Sequence, residues 1–384
     1  MKHITKLIIG LITIALVGYS KSEAQISSVE IITPSLITGN GRFTSASLEV
    51  IIGQKDSTER DAESYFEQGF KHYSKGEYEE AIADFSQAIQ LNPKFALGYL
   101  VRGLVYSDQG AYQKAIPDYN QAIELNPKLA KAYVVRGIVY DNLGDKEKAL
   151  ADLSQGIRLD PEDATAYYSR GIIYNDLGED EKALADYNQA IQLNPKYAKA
   201  YNNRGEIYHE QGEYKKALAD YNESIRLNNP QLWLPYNNRG LIYDDLEEYE
   251  KALADFNQAI QLNPQFAEAY SNRGLIYDDL GEYEKALPDY NQAIQLNPQY
   301  AKAYNNRGVI YGIQKAYQKA FADFNQAIKI NPQYAGAYYN RGLTHKRNRN
   351  IEKASSDLKK AADLSKQQGN QQLYQRSLDE LRKL

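Results

Sequence analysis

The sequence predicts an all-α chain, a solenoid of stacked helix pairs, and three observations lead there. The stretch Ala267 to Tyr300 sets out Tyr270, Arg273, Gly274, Tyr277, Ala286, Tyr290, Ala293 and Pro298, and this spacing recurs along most of the chain every 34 residues. Inside the stretch, apolar and small residues return at intervals of three and four, the period of an amphipathic helix. Gly281 and the pair Asn297-Pro298 then stand where helices should end.

Each element follows from its residues. In helix A, about Glu268 to Leu280, Tyr270, Gly274, Tyr277 and Leu280 share one face. Gly281 ends it, because glycine adopts the left-handed conformation of a helix C-terminus at little steric cost. In helix B, about Tyr283 to Leu296, Ala286, Leu287, Tyr290, Ala293 and Ile294 line one face, and the alanines let neighbouring backbones approach. Asn297-Pro298 stops it, since proline disfavours helix in the residue before it. Neither helix can bury its apolar face alone, so the repeats must stack.

Counted from the start of the unit, the aromatic and small residues fall at positions 4, 8, 11, 20, 24, 27 and 32. This pattern resembles the tetratricopeptide repeat (TPR) family. The resemblance implies a right-handed superhelix whose concave surface is lined by helix A, and a function in binding rather than catalysis. It names no partner.

The chain has 34 Tyr, 9 Phe, 1 Trp and no Cys, which excludes disulfides and thiolate metal sites. Tyrosine in such numbers suits surfaces that are half buried with the hydroxyl in water. A formal charge of -5 argues against a phosphate-backbone binder.

Taken in order, Met1 to Ala24 has a basic start (Lys2, Lys6), an apolar run Leu7 to Val17 and the small-residue site Ser22-Glu23-Ala24. This reads as a signal peptide cleaved after Ala24, with export to the periplasm or the extracellular space. The alternative is an uncleaved membrane anchor, for which the run is short of the roughly 20 residues that span a bilayer. Residues 25 to 61 lack the repeat and read as a flexible arm; Gly39-Asn40-Gly41 there lacks the strand, helix and Lys of a phosphate loop.

Repeats then run from 62 to 368 in nine units, with one inserted residue between Gly205 and Gly240, in the turn Asn228 to Leu232. Pro117 and Pro288 occupy position 22, inside helix B, and predict a late start to that helix in their repeats. The ninth unit departs most, with His345, Leu358 and Lys366 in the Tyr, aromatic and Pro slots. Residues 369 to 384 read as a capping helix, with Tyr374, Leu378 and Leu381 on one face.

No catalytic residue, metal site or cofactor is expected. His3, His72, His209 and His345 are scattered, and no nucleophile motif or complete nucleotide fingerprint occurs. Arg recurs at position 7 in eight repeats and Asp at position 23 in all nine. A half-buried guanidinium requires a carboxylate, so these predict ion pairs that fix the stacking register. Whether the partner lies in the same or the preceding repeat is not legible.

The informative surface is the face of helix A at positions 2, 6, 9 and 13. Position 6 reads Glu67, Val101, Val135, Ser169 and then Asn203, Asn238, Asn272, Asn306 and Asn340, a ladder of amides suited to a peptide backbone. Beside it, positions 12 and 13 supply Asp141, Asp176, Glu210, Asp244, Asp245, Asp278 and Asp279, an acidic edge favouring a basic ligand. Carboxylate-clamp members of the family use Lys at position 5 and Arg at position 6; neither is present here, so that mechanism is not expected. The Asn run is similar to the asparagine ladder in the superhelix of O-linked N-acetylglucosamine transferases, and only the binding half of that comparison carries over.

The expected function is a non-enzymatic scaffold that holds an extended segment of another protein, in envelope or complex assembly. An architectural, self-associating spacer and a regulatory subunit that positions an enzyme are the alternatives.

Overall fold

The structure is a computed structural model, described for residues 57–229 and 231–384. The expected signal peptide and most of the expected arm lie outside the described residues. Among the described residues are nineteen α-helices and no strand. They form nine consecutive antiparallel pairs followed by a single helix, the architecture of a helical-repeat solenoid. The first helix, α1, spans Ser57–Ser74 and so begins within the segment read as an arm.

In the seventh pair, helix A is Ala267–Asp279 and helix B is Tyr283–Leu296. Gly281 between them has a φ of +73°, the left-handed value its position requires. Glu247, Lys315 and Arg349 hold the same place in their repeats at +57° to +61° without glycine's freedom. At the end of helix B, the Asn297 side chain turns back to accept the backbone N–H of Gln299 at 3.0 Å, which fixes the exit before the next helix starts.

The inserted residue is absorbed in the turn after Tyr214–Arg226, helix B of the fifth pair. Asn228 takes a left-handed φ of +56°, and the side-chain bond passes to Asn229, which accepts from the N–H of Gln231 at 2.9 Å. Asn229 is itself buried, donating to Ser224 Oγ at 3.0 Å.

The prolines correct an expectation. Tyr112–Leu125 and Tyr283–Leu296 contain Pro117 and Pro288 in their interior and begin at the same repeat position as the other B helices. Each proline faces solvent, so the carbonyl it frees, of Gln113 or Glu284, stays within reach of water. The helix tolerates the loss and does not start later. Pro288→Ala is therefore expected to stabilise the chain by about 1–3 kcal/mol, read as a raised denaturant midpoint. No gain would mean that the freed carbonyl costs nothing.

The chain divides into two compact units, one ending at Ala200 and one starting at Tyr201. In the first, Phe66, Phe85, Leu100, Tyr119 and Val135 belong to a core that runs through three repeats. In the second, three core segments centre on a fully buried B-helix ring, Tyr221, Phe256 or Tyr290, each packed with an alanine and an isoleucine. The close approach depends on position 8: a Cβ on Gly240 would lie 2.7 Å from the Phe256 ring. The last helix, Gln371–Arg382, packs on Ile351–Gln367, and Lys346 Nζ reaches Glu380 at 2.9 Å.

Candidate functional site

The face of helix A is held in place by the Arg/Asp pairs. In all eight repeats that carry it, the position-7 Arg donates through Nε and Nη2 to both oxygens of the Asp sixteen residues on, in its own repeat, at 2.6 to 2.8 Å. In seven of them the third donor, Nη1, points to the preceding repeat of the same unit. Arg273 reaches Asn257 Oδ1 at 2.6 Å and Arg102 reaches Ser86 Oγ at 3.0 Å. The partner is thus in both repeats: carboxylate within, amide or hydroxyl behind. Tyrosine rings at positions 4 and 11 flank the guanidinium, as Tyr236 and Tyr243 do for Arg239 at 5.4 and 6.0 Å. The bidentate bond to Asp255 holds the Arg239 pKa above its ordinary value against the opposing effect of burial.

On this frame the ladder amides are tied to one another. Asn238 donates to Asn202 Oδ1 at 3.4 Å, Asn272 to Asn237 Oδ1 at 3.0 Å, and Asn340 to Asn305 Oδ1 at 3.0 Å. Each bond runs from position 6 back to position 5 of the repeat before. Within a repeat, Asn202, Asn237 and Asn305 donate to Asn203, Asn238 and Asn306 at 3.4, 3.3 and 3.1 Å. The expected row of open amides is therefore stitched in two stretches, Asn202 to Asn272 and Asn305 to Asn340, with Ser271 in the position-5 place between them. Asn272 is the extreme case, only 6% exposed, so it holds the row together and offers a ligand little surface. Asn203, Asn238, Asn306 and Asn340 are half-exposed.

The acidic edge divides by partner. Asp176 pairs with Lys146 at 2.6 Å, and Asp245 with His209 at 2.9 Å and the Tyr214 hydroxyl at 3.2 Å. Asp141 is half-buried and Glu210 exposed. Asp244, Asp278 and Asp279 have no hydrogen bond or ion pair among the described residues. Burial, and then the neighbouring Asp279 charge, push the carboxyls of Asp244 and Asp278 up to about 6; burial raises Asp279 as well. The edge is most strongly negative only above that range.

Two features escaped the sequence reading. The position-5 amides Asn202, Asn237 and Asn305 complete the stitching. Glu206 stands at position 9, a place held by Phe70, Leu104, Ile138, Ile172, Leu241, Leu275, Val309 and Leu343 in the other repeats. That break in an apolar column was the available signal.

Stacked helix pairs with a polar face define a repeat scaffold. Family models described as TPR repeat match residues 69–110, 142–178 and 171–212. Models described as tetratricopeptide repeat match 96–129, 198–229, 234–266, 267–300 and 301–334, and also 118–151 and 324–354. The chain belongs to the tetratricopeptide repeat family, whose members are generally non-catalytic and commonly mediate protein–protein interactions.

Solved structures share the fold. A tetratricopeptide repeat protein from Parabacteroides merdae is 24% identical with a TM-score of 0.53, over 65% of this chain and 98% of that one. Pseudomonas aeruginosa pilF is 20% identical with a TM-score of 0.50, over 54% and 94%. A chain of the APC/C hetero-tetramer Cut9-Hcn1 is 18% identical with a TM-score of 0.57, over 78% and 59%. None of the curated proteins compared with the chain matches it significantly.

Proposed function

We propose that the chain is an exported, non-enzymatic scaffold that holds an extended segment of another protein along its helix A face, in the assembly of an envelope structure or a multiprotein complex. The observation that carries this is the stitched amide row of the second unit. The half-exposed amides Asn238, Asn306 and Asn340 are oriented by these bonds and face a ligand with polar groups suited to a peptide backbone. Preorganisation of this kind lowers the ordering cost of binding. The acidic edge beside the row adds selectivity for basic segments.

The test begins with capture of a partner by the full chain from the exported fraction, followed by titration calorimetry. Asn306→Ala combined with Asn340→Ala should weaken binding by roughly 1–3 kcal/mol, about 5-fold to 150-fold, while the helical content persists. Unchanged affinity in the folded variant would move the site off this row. Recovery of only the chain itself would favour the architectural reading, and recovery of an enzymatic activity the regulatory one.

A further inference from the structure

We propose that Glu206 is the anchor for a basic side chain, a lysine ammonium or an arginine guanidinium, on the bound segment; this rests on the reading of the helix A face given above. A carboxylate in an otherwise apolar column is costly to bury without partners. Glu206 has been given partners on one side only. Asn202 and Asn238 donate to Oε1 at 3.0 and 2.7 Å, which fixes the carboxylate plane. Oε2 has no hydrogen bond, and Glu206 no ion pair, among the described residues.

A buried hydroxyl lies in the same repeat, as that of Tyr290 does in the seventh. The Tyr221 side chain is fully buried, with its ring against Gly205, the residue before Glu206, and its hydroxyl finds no hydrogen-bond partner. Glu206 and Glu210 both act electrostatically on that hydroxyl. The site therefore carries an oriented carboxylate with one open oxygen and an exposed second carboxylate one helical turn on. Burial pushes the Glu206 carboxyl up, with the two amides opposing and Glu210 adding to it. An arriving cation reverses that balance by favouring the ionised form. An ammonium with three donors fits this better than a neutral amide, which would leave the charge uncompensated.

The probes are two pools of fluorescein-labelled decapeptides built from Ala, Ser, Leu and Gln, with a fixed central lysine in one and norleucine in the other. Fluorescence polarisation with the full chain should show the lysine pool binding about tenfold tighter or more. Glu206→Leu, which installs the residue type that Leu241 and Leu275 supply at the same position, should bring the two pools together with helicity intact. Glu206→Gln, which keeps an acceptor for both amides, should do the same. Equal binding of both pools by the unmodified chain, or a lysine preference that survives both variants, overturns the anchor and leaves the groove standing. If neither pool binds the unmodified chain, the groove reading fails and takes the anchor with it.

Discussion

Asp255→Ala will lower the denaturant midpoint by an amount equivalent to about 3 kcal/mol, the low end of the range for breaking a buried pair. Asp255 is 5% exposed, and both its oxygens accept from Arg239 at 2.7 Å. Removing it leaves a guanidinium still wedged between Tyr236 and Tyr243 and bonded to Asn222, with two donors facing a void. The Arg239 side chain retains some exposure, 19%, so water relieves part of the charge and the top of the range is not expected. Asp255→Asn should lie between, keeping shape and one acceptor while losing the charge. Unfolding unchanged by either variant would reassign the ladder from structure to ligand binding.

Phe256→Ala will cost about 3–5 kcal/mol, since the ring is fully buried and fills the space beneath Gly240. Gly240→Ala should cost about 1–3 kcal/mol by overpacking, less the gain from a better helix former. The double variant is the sharper measurement. With the ring gone, the added methyl meets open space, so the two changes should fall short of additivity by about 0.5 kcal/mol or more. Strict additivity in urea unfolding would mean that the ring and the glycine do not share that space.

The period and the Arg/Asp pairing were legible because they recur, the Arg in eight repeats and the Asp in nine, and repetition averages out local accident. Pro117 and Pro288 misled because position in a helix was weighed without its side: an exposed proline loses one bond, and its orphaned carbonyl is hydrated. The amide ladder was legible as chemistry and not as geometry. Asn272 and Asn237 lie 35 positions apart, and only stacking brings them to 3.0 Å. Glu206 was overlooked for a different reason, since attention to the polar columns at positions 6, 12 and 13 passed over a polar residue in an apolar one.

The bidentate bond closes inside one repeat, whereas only Nη1 crosses to the repeat before. A segment such as Ala267 to Tyr300 therefore carries Arg273 and Asp289 together. Losing or duplicating it whole leaves no carboxylate or guanidinium without its mate, and its loss brings Arg307 onto Asn257 in place of Asn291, an identical acceptor at the same repeat position. Losing helix B alone would instead strand Arg273 without its carboxylate. Changes of array length in whole repeats thus leave this pairing intact.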